Sequence, residues 1–262
     1  MINVNPSKIL EKIIPITIRA GNEILEIYKN NIVVSYKDDG SPVTNADKNA
    51  EKIILNELKN LFPDIEIVSE ENIESHNLQP SKTFFLVDPI DGTKEFLRQD
   101  GKGAFTVNIA LIHEGQPILG IVNAPALGRL FYGSIQEGAK EVSNEKLKRI
   151  FVRDIPDDGA LALASRSHND QKTTDWLTKN NVSKTMSTGS SVKFCLIAAG
   201  EADVYPRFGP TMEWDTAAGD AILRAAGGTV TNANFSKFYY GKHLYKNGPF
   251  IAWGDKNIKE IQ

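Results

Sequence analysis

The order of apolar and polar residues in the first part of the chain predicts helices alternating with short strands. Helical spacing runs through 5–28, where Pro15 should kink the helix, and again through 44–61. The apolar runs at 32–36 and 65–68 are short and end in polar turns, which is typical of strands. This region therefore predicts two helices and two strands.

The middle of the chain is dominated by extended patterns. A continuous apolar run at 84–87 predicts a buried strand. Apolar and polar residues alternate through 105–112, as in a strand with one buried face, and 117–122 should pair with it across a tight turn. Residues 130–132 and 149–152 are further strand candidates. The middle of the chain therefore predicts a group of strands, with a helix opening at Gly92 and Thr93 after the first of them.

The pattern changes after the polar segment 154–159, which contains a proline and a glycine. Beyond it, strands predicted at 161–164, 202–205, 228–230 and 250–253 alternate with helices predicted at 170–179, 190–199 and 216–226. Such alternation predicts an α/β layer. We therefore expect an N-terminal α+β part, 1–155, and a C-terminal α/β part, 156–262.

Composition and charge narrow the class of protein. The chain has 262 residues, 41% of them hydrophobic, which is ordinary for a globular protein, and its net charge is −3 with no basic stripe for long nucleic acid. It shows no signal-peptide pattern and no apolar run long enough for a membrane span, so we expect a cytoplasmic protein. The single cysteine, Cys195, excludes an intrachain disulfide, and the four histidines show no zinc-type spacing.

Candidate chemistry begins directly after the predicted strand at 84–87. Asp88 and Asp91 flank a proline and an isoleucine, and Gly92 permits a tight turn. We expect Pro89 to stop the strand, so that both acids project into one cleft. Carboxylates without nearby histidine or cysteine are hard oxygen ligands that suit Mg²⁺. Taken alone, however, a D-x-x-D segment of this kind is more often a polar turn after a core strand.

Three further acids stand at the ends of predicted elements. Glu70 closes the strand at 65–68, Asp47 lies in the first turn of the second helix, and Asp215 lies at the start of a later helix. Each could instead be a helix cap or a solvated acid. Trp214 precedes Asp215, and a bulky aromatic side chain there would form the wall of a pocket.

Four motifs in order give these acids a common context. PVTNAD at 42–47, SEE at 69–71, DPIDGT at 88–93 and WDTAAG at 214–219 resemble the inositol monophosphatase superfamily of Mg²⁺-dependent, lithium-sensitive phosphomonoesterases. The resemblance implies the layered αβαβα sandwich of the inositol monophosphatase and fructose-1,6-bisphosphatase type, with the active site between the two parts of the chain.

Variant residues within the motifs resemble one branch of this superfamily. DGTKEF at 91–96, KDDGSPVT at 37–44, SRSH at 165–168, TGSSVKFC at 188–195 and YPRFGPT at 205–211 are similar to the 3'(2'),5'-bisphosphate nucleotidases of the CysQ type. That branch converts adenosine 3',5'-bisphosphate to AMP and phosphate. Two alternatives stay open: an inositol-1-phosphate or sugar-phosphate phosphatase with the same metal site, and an inactive relative that binds a nucleotide or a partner.

The resemblance also implies roles for individual residues. One Mg²⁺ would be held by Glu70, Asp88 and the carbonyl of Ile90, and a second by Asp88, Asp91 and Asp215. Asp47 and the Thr93 hydroxyl would orient and deprotonate the attacking water, with Glu70 also catalytic, and a third, weaker metal would touch Asp47. The residues expected to contact substrate are Glu70, Asp88, Ile90, Asp91, Gly92, Thr93, Gly189, Ser190, Lys193, Arg207 and Asp215.

The phosphate that is retained needs cationic partners. Lys193 and Arg207 are the first candidates and Arg166 and Lys94 the next, although each could be a solvated surface charge. Asp220 is a possible departure from the branch pattern that should not affect the metals. The sequence leaves open the adenine-binding surface, the oligomeric state, and whether the protein rests on the inner face of a membrane.

Overall fold

The computed structural model describes residues 5–101, 103–165, 171–180 and 182–255. Within these ranges the helices are α1 (Pro6–Lys29), α2 (Asn45–Leu61), α3 (Thr93–Arg98), α4 (Gln171–Lys179), α5 (Val192–Ala198) and α6 (Ala217–Ala225). The strands in the same ranges are β1 (Val34–Tyr36), β2 (Pro42–Thr44), β3 (Glu66–Ser69), β4 (Thr83–Asp91), β5 (Thr106–His113), β6 (Gln116–Ala124), β7 (Arg129–Ser134), β8 (Gly138–Ser143), β9 (Lys146–Ile150), β10 (Ala160–Ser165), β11 (Val182–Thr188), β12 (Val204–Arg207), β13 (Thr211–Met212), β14 (Thr229–Asn232), β15 (Lys246–Asn247) and β16 (Phe250–Trp253).

Two large sheets organise these elements. The first has the order β3-β4-β5-β6-β7-β8-β9, in which β3 and β4 are parallel and every other neighbouring pair is antiparallel. The second has the order β11-β10-β12-β16-β14. Because β3 and β4 run in the same direction, the residues that follow them emerge at the same edge of the first sheet.

The helices and sheets form five layers. Helices α1 and α2 cover one face of the first sheet, and α5 and α6 fill the space between the two sheets. Helix α4 packs on the far side of the second sheet, where Trp176 meets Trp253 with ring centroids 5.7 Å apart. The predicted αβαβα sandwich is therefore confirmed.

Strand β5 differs from the prediction of one buried face. All of its residues from Thr106 to Ile112 are buried, because α1 packs on one side of the strand and α6 on the other. The polar members of its alternating pattern are thus enclosed in the core rather than exposed to solvent. Such side chains need hydrogen-bond partners inside the protein.

Strand β4 also departs from the prediction, because Pro89 does not stop it. The ladder pairs Asp88 with Asn108 and Asp91 with Thr106, so two residues of β4 oppose one residue of β5. This is a bulge, a position at which a sheet accepts a proline that cannot donate a ladder hydrogen bond.

Other differences concern the ends and edges of the sheets. The strand predicted at 149–152 is β9, which ends at Ile150, and α1 continues through Pro15. Strands β2, β8, β11, β13 and β15 were not predicted. The division of the chain into 1–155 and 156–262 stays a prediction. Among the described residues, no helix combines the length and apolar character that a membrane crossing needs.

Candidate active site

The bulge in β4 decides where its two acids point. In a regular strand, residues three apart face opposite sides of the sheet. Here the extra residue brings Asp88 and Asp91 opposite Asn108 and Thr106, which lie on one face of β5. Gly92 follows with φ 93°, a left-handed conformation that glycine adopts without strain, and α3 begins directly after it. Both carboxylates therefore point toward the same side of the sheet.

A cleft of about 410 Å³ opens beside these carboxylates. It is lined by β4 and the turn after it, by the segment before α5, by β12, and by the turn before α6. The residues expected to hold the two main metals or to contact substrate line this cleft, whereas Asp47, expected to touch a third metal, is not among its lining residues. Those that line it are Glu70, Asp88, Ile90, Asp91, Gly92, Thr93, Lys94, Gly189, Ser190, Lys193, Arg207 and Asp215, with Arg166 lying outside the described residues.

Three aspartates of the cleft, Asp88, Asp91 and Asp215, have raised pKa values. Burial raises the pKa of Asp88 well above its usual range, and the negative charges of Glu70, Asp91 and Asp215 raise it further. Burial likewise raises the pKa of Asp215, with Asp91 and Glu70 adding to the effect. The pKa of Asp91 rises to about 6 by burial, although the nearby Lys193 ammonium opposes the rise. Positive charge brought to this cleft would relieve the repulsion.

The donor set fits a hard divalent cation. Both carboxylate oxygens of Asp88 are buried and accept no hydrogen bond, although buried oxygens normally have a partner. Carboxylate and carbonyl oxygens are the ligands that Mg²⁺ prefers. Among the described residues, no three potential metal-binding side chains are drawn together into a closed cluster. The carboxylates therefore line the cleft without forming a ready-made group of three ligands.

Lys37 supplies the positive charge nearest to Glu70. Its ammonium lies 2.9 Å from Glu70 Oε1 and 2.7 Å from Glu71 Oε1. Burial and the neighbouring Glu70 nevertheless raise the pKa of Glu71 to about 7. One lysine therefore bridges two acids at the rim of the cleft.

Asp47 and Thr93 meet behind the carboxylates. Thr93 Oγ1 lies 3.3 Å from Asp47 Oδ1 and 3.3 Å from the Ile90 carbonyl oxygen. The other oxygen of Asp47 accepts hydrogen bonds from the Thr44 N–H and hydroxyl, which forms a capping box at the start of α2. Asp47 therefore caps the helix with one oxygen and faces Thr93 with the other. The N-cap of α3 is Gly92, so Thr93 is not a cap.

Two cationic side chains, Lys193 and Arg207, also line the cleft, close enough to the acids to act on their pKa values. Lys193 is 5% exposed, donates to the Ser190 carbonyl at 2.7 Å and lies 4.9 Å from the centre of the Tyr205 ring. Burial lowers the pKa of Lys193 to about 8, while Asp91 opposes the change. Arg207 is also buried and donates to the Pro210 carbonyl at 3.1 Å. Both cations are thus fixed in the cleft wall rather than solvated at the surface.

Trp214 lines the cleft, as the sequence suggested, and stacks on His76 at 4.6 Å between ring centroids. Sequence reasoning assigned no individual role to several other lining residues, namely Glu95, Ser191, Tyr205 and Phe250. Glu95 lies in α3, four residues after Asp91, whereas Ser191, Tyr205 and Phe250 reach the acids only through the packing of α5 and the second sheet. A polar residue next to a mostly apolar segment, such as Ser191, is the sequence feature that could have indicated a place in the site.

Comparison with known proteins places this geometry in a family. A sequence model of the inositol monophosphatase family matches residues 5–260. The chain belongs to the inositol monophosphatase family. It is 45% identical over 224 residues to the 3'(2'),5'-bisphosphate nucleotidase CysQ of Salmonella typhimurium, covering 84% of this chain and 89% of that protein.

Solved structures agree with the family assignment. The crystal structure of CysQ from Bacteroides thetaiotaomicron, a member of the same family, matches with a TM-score of 0.82 and 36% identity over 94% of this chain and 97% of that chain. An IMPase from Thermotoga maritima matches with a TM-score of 0.80 and 24% identity, over 97% and 95% of the two chains. The fold is therefore common to both branches and does not by itself select a substrate.

Proposed function

We propose that this protein is a Mg²⁺-dependent phosphatase that hydrolyses the 3'-phosphate of adenosine 3',5'-bisphosphate to give AMP and phosphate. Its similarity to CysQ nucleotidases over most of the chain supports the substrate class. The observation that carries the metal-dependent chemistry is the buried Asp88 carboxylate, which has no hydrogen-bond partner among three other acids. We include 3'-phosphoadenylyl sulfate as a second substrate.

Two Mg²⁺ ions would be held by residues of the cleft. Glu70, Asp88 and the Ile90 carbonyl would bind one, and Asp88, Asp91 and Asp215 the other, while a third would touch Asp47. Bound Mg²⁺ neutralises phosphate charge and makes water a usable nucleophile at neutral pH. The pKa values of Asp88 and Asp215 are raised by burial and by the neighbouring acids, which supports this assignment.

The proton of the attacking water would pass to Asp47 with the help of Thr93. The Asp47 oxygen that faces Thr93 is the one not used by the capping box, so it is available to accept the proton. Water adds to phosphorus, the bond between phosphorus and the 3'-oxygen breaks, and that oxygen takes up a proton. The capping box would keep Asp47 from rotating during this transfer.

The phosphate that is retained would bind to the buried cations of the same cleft. Lys193 and Arg207 provide buried positive charge there, and Lys94 lines the same cleft. Backbone N–H groups of Gly92 and Thr93 and donors of Gly189 and Ser190 would complete the contacts. A substrate with two phosphates matches a cleft that combines a group of acids, which could hold cations, with the fixed positive charges of Lys193 and Arg207. The cytoplasmic location and any contact with the inner membrane face stay predictions.

The test is phosphate release from adenosine 3',5'-bisphosphate and inositol 1-phosphate, measured side by side with Mg²⁺, then with added lithium or a chelator. We expect preference for the nucleotide and loss of activity under either addition. Asp215→Asn should be inactive, whereas Asp64→Asn, at an exposed acid in the turn before β3, should retain full activity. Preference for the inositol ester would overturn the substrate class. Inactivity on both esters in folded wild-type protein would favour a binding role.

A further inference from the structure

Strand β5 carries two buried polar side chains on the face that looks toward α5 and α6. Thr106 is 0% exposed and Asn108 is 1% exposed, and they pair directly with Asp91 and Asp88. Side chains directly opposite each other on neighbouring antiparallel strands lie on the same face and within contact range. Each predicted metal-binding aspartate of β4 therefore has a polar neighbour on β5.

Ser191, immediately before α5, links these polar neighbours. Its hydroxyl donates to Asn108 Oδ1 at 2.7 Å, and its single proton is then used. The contact of 2.8 Å between Thr106 Oγ1 and Ser191 Oγ must therefore have Thr106 as donor. The Ser191 backbone N–H donates to Asp91 Oδ2 at 2.5 Å. One residue thus holds Asp91 directly and the Asn108 amide through its hydroxyl.

This chain of hydrogen bonds fixes which end of the Asn108 amide is available. The oxygen accepts from Ser191, so the NH₂ group is the end left over, and Nδ2 is buried without a partner. Both oxygens of Asp88, on the adjacent strand, are also buried without a partner. The Asn108 Nδ2 group and the Asp88 oxygens make no hydrogen bond to each other in this structure. They belong to one ladder position, so a side-chain rotation would let this buried donor and buried acceptor satisfy each other.

We propose that Asn108 is a positioning residue that donates its amide N–H to Asp88 and so orients the carboxylate that both metals would share. Ser191 and Thr106 hold the amide in the required orientation. A bridging carboxylate must present its oxygens in two defined directions, and hydrogen bonds from outside the ligand set supply that restraint. The inference rests on the proposed metal site.

The test measures Mn²⁺ binding in the absence of substrate, from the electron paramagnetic resonance signal of the Mn²⁺ that stays free. Mn²⁺ is a suitable probe because it favours the same oxygen ligands as Mg²⁺. We expect Asn108→Ala to weaken Mn²⁺ binding about tenfold, as is common for such supporting residues. Ser191→Ala should weaken it to a smaller extent, and the double variant should bind no more weakly than Asn108→Ala. Ser191 makes no side-chain cap bond to α5, so its replacement leaves the helix start intact.

The matched control is Asn123→Ala. Asn123 is also a buried asparagine of the first sheet, but its amide donates to the Thr17 carbonyl in α1, on the opposite face. It should lose thermal stability and keep wild-type Mn²⁺ affinity. Wild-type Mn²⁺ affinity in folded Asn108→Ala would overturn the inference. If Asn108→Ala does not fold, wild-type affinity in folded Ser191→Ala would do the same. Weakening of Mn²⁺ binding in Asn123→Ala equal to that in Asn108→Ala would also overturn it. Wild-type protein that binds no Mn²⁺ would instead refute the proposed metal site itself.

Discussion

Replacing Asp91 with asparagine should stabilise the metal-free protein and, at the same time, abolish phosphate release. Burial raises the pKa of this carboxyl from 3.8 to about 6, so folding favours its protonated form. At pH 8 the ionised group therefore costs the fold about 3 kcal/mol, since each pH unit between the two values corresponds to about 1.4 kcal/mol. An asparagine removes the charge and can still accept the Ser191 N–H bond.

The pH dependence of the difference has a definite sign. A carboxyl with a raised pKa contributes its full stability below about pH 4 and loses it as the pH rises through about 6. The gain from Asp91→Asn should thus be largest at pH 8 and close to zero at pH 4. At this chain length, about 2–3 kcal/mol corresponds to a rise in Tm of roughly 5 °C or more.

Thermal unfolding in chelator at the two pH values measures this gain. Added Mg²⁺ should raise the Tm of the wild type through ligand binding, and should do so much less in the variant. Turnover should fall at least about a hundredfold, because a loss of about 3 kcal/mol of transition-state stabilisation suffices for that. A variant that is less stable than the wild type in chelator at pH 8 would refute the reasoning about the carboxylates.

Three further predictions follow from other contacts of the cleft and its surroundings. Asp220→Asn removes the ionic partner of the half-buried Arg224, whose Nε lies 2.6 Å from Asp220 Oδ1. It should cost about 3 kcal/mol in denaturant unfolding, with Mn²⁺ affinity unchanged, and equal stability would contradict this. Burial lowers the pKa of Lys193 to about 8, so the wild-type KM for the bisphosphate should rise above pH 8, whereas the KM of Lys193→Arg should stay level. A wild-type KM that does not change with pH would exclude a role for the Lys193 charge. Gly189→Ala places a methyl group 2.6 Å from Glu95 Cγ and should lower stability by about 1–3 kcal/mol in thermal unfolding, whereas Gly248→Ala, with no atom within 4 Å, should be neutral.

The buried elements of the fold were largely readable from the sequence. Strands β4 and β16 are continuous apolar runs, and α2 carries its core residues at helical spacing. Strands β9 and β11 were misplaced or missed because they lie at the edges of their sheets and are mostly exposed. Hydrophobic periodicity reports burial, so it gives little signal for an edge strand whose partners lie on one side only.

The candidate site was readable only in part. The acids could be named because each stands at the end of an element, and because the motifs that contain them resemble a family. Asn108 lies in none of these motifs, and although Ser191 lies in the motif at 188–195, the motif does not show what it contacts. The neighbours of both residues are set by the ladder between β4 and β5 and by the docking of α5. Contacts between residues 83 positions apart arise from tertiary packing, which local patterns do not encode.

The bulge at Pro89 shows why a local rule fails at this site. A proline after Asp88 was expected to end the strand, and in a regular ladder that expectation would be sound. The strand instead continues through a bulge, in which two residues of β4 lie opposite one residue of β5. This shift in register turns Asp91 to the same side of the sheet as Asp88. The same residue that weakens the ladder thus brings two repelling carboxylates together. Their repulsion is offset only partly by Lys193, which opposes the rise in the pKa of Asp91. The fold therefore gives up local stability where a cation would bind, which is the cost that the Asp91→Asn variant should remove.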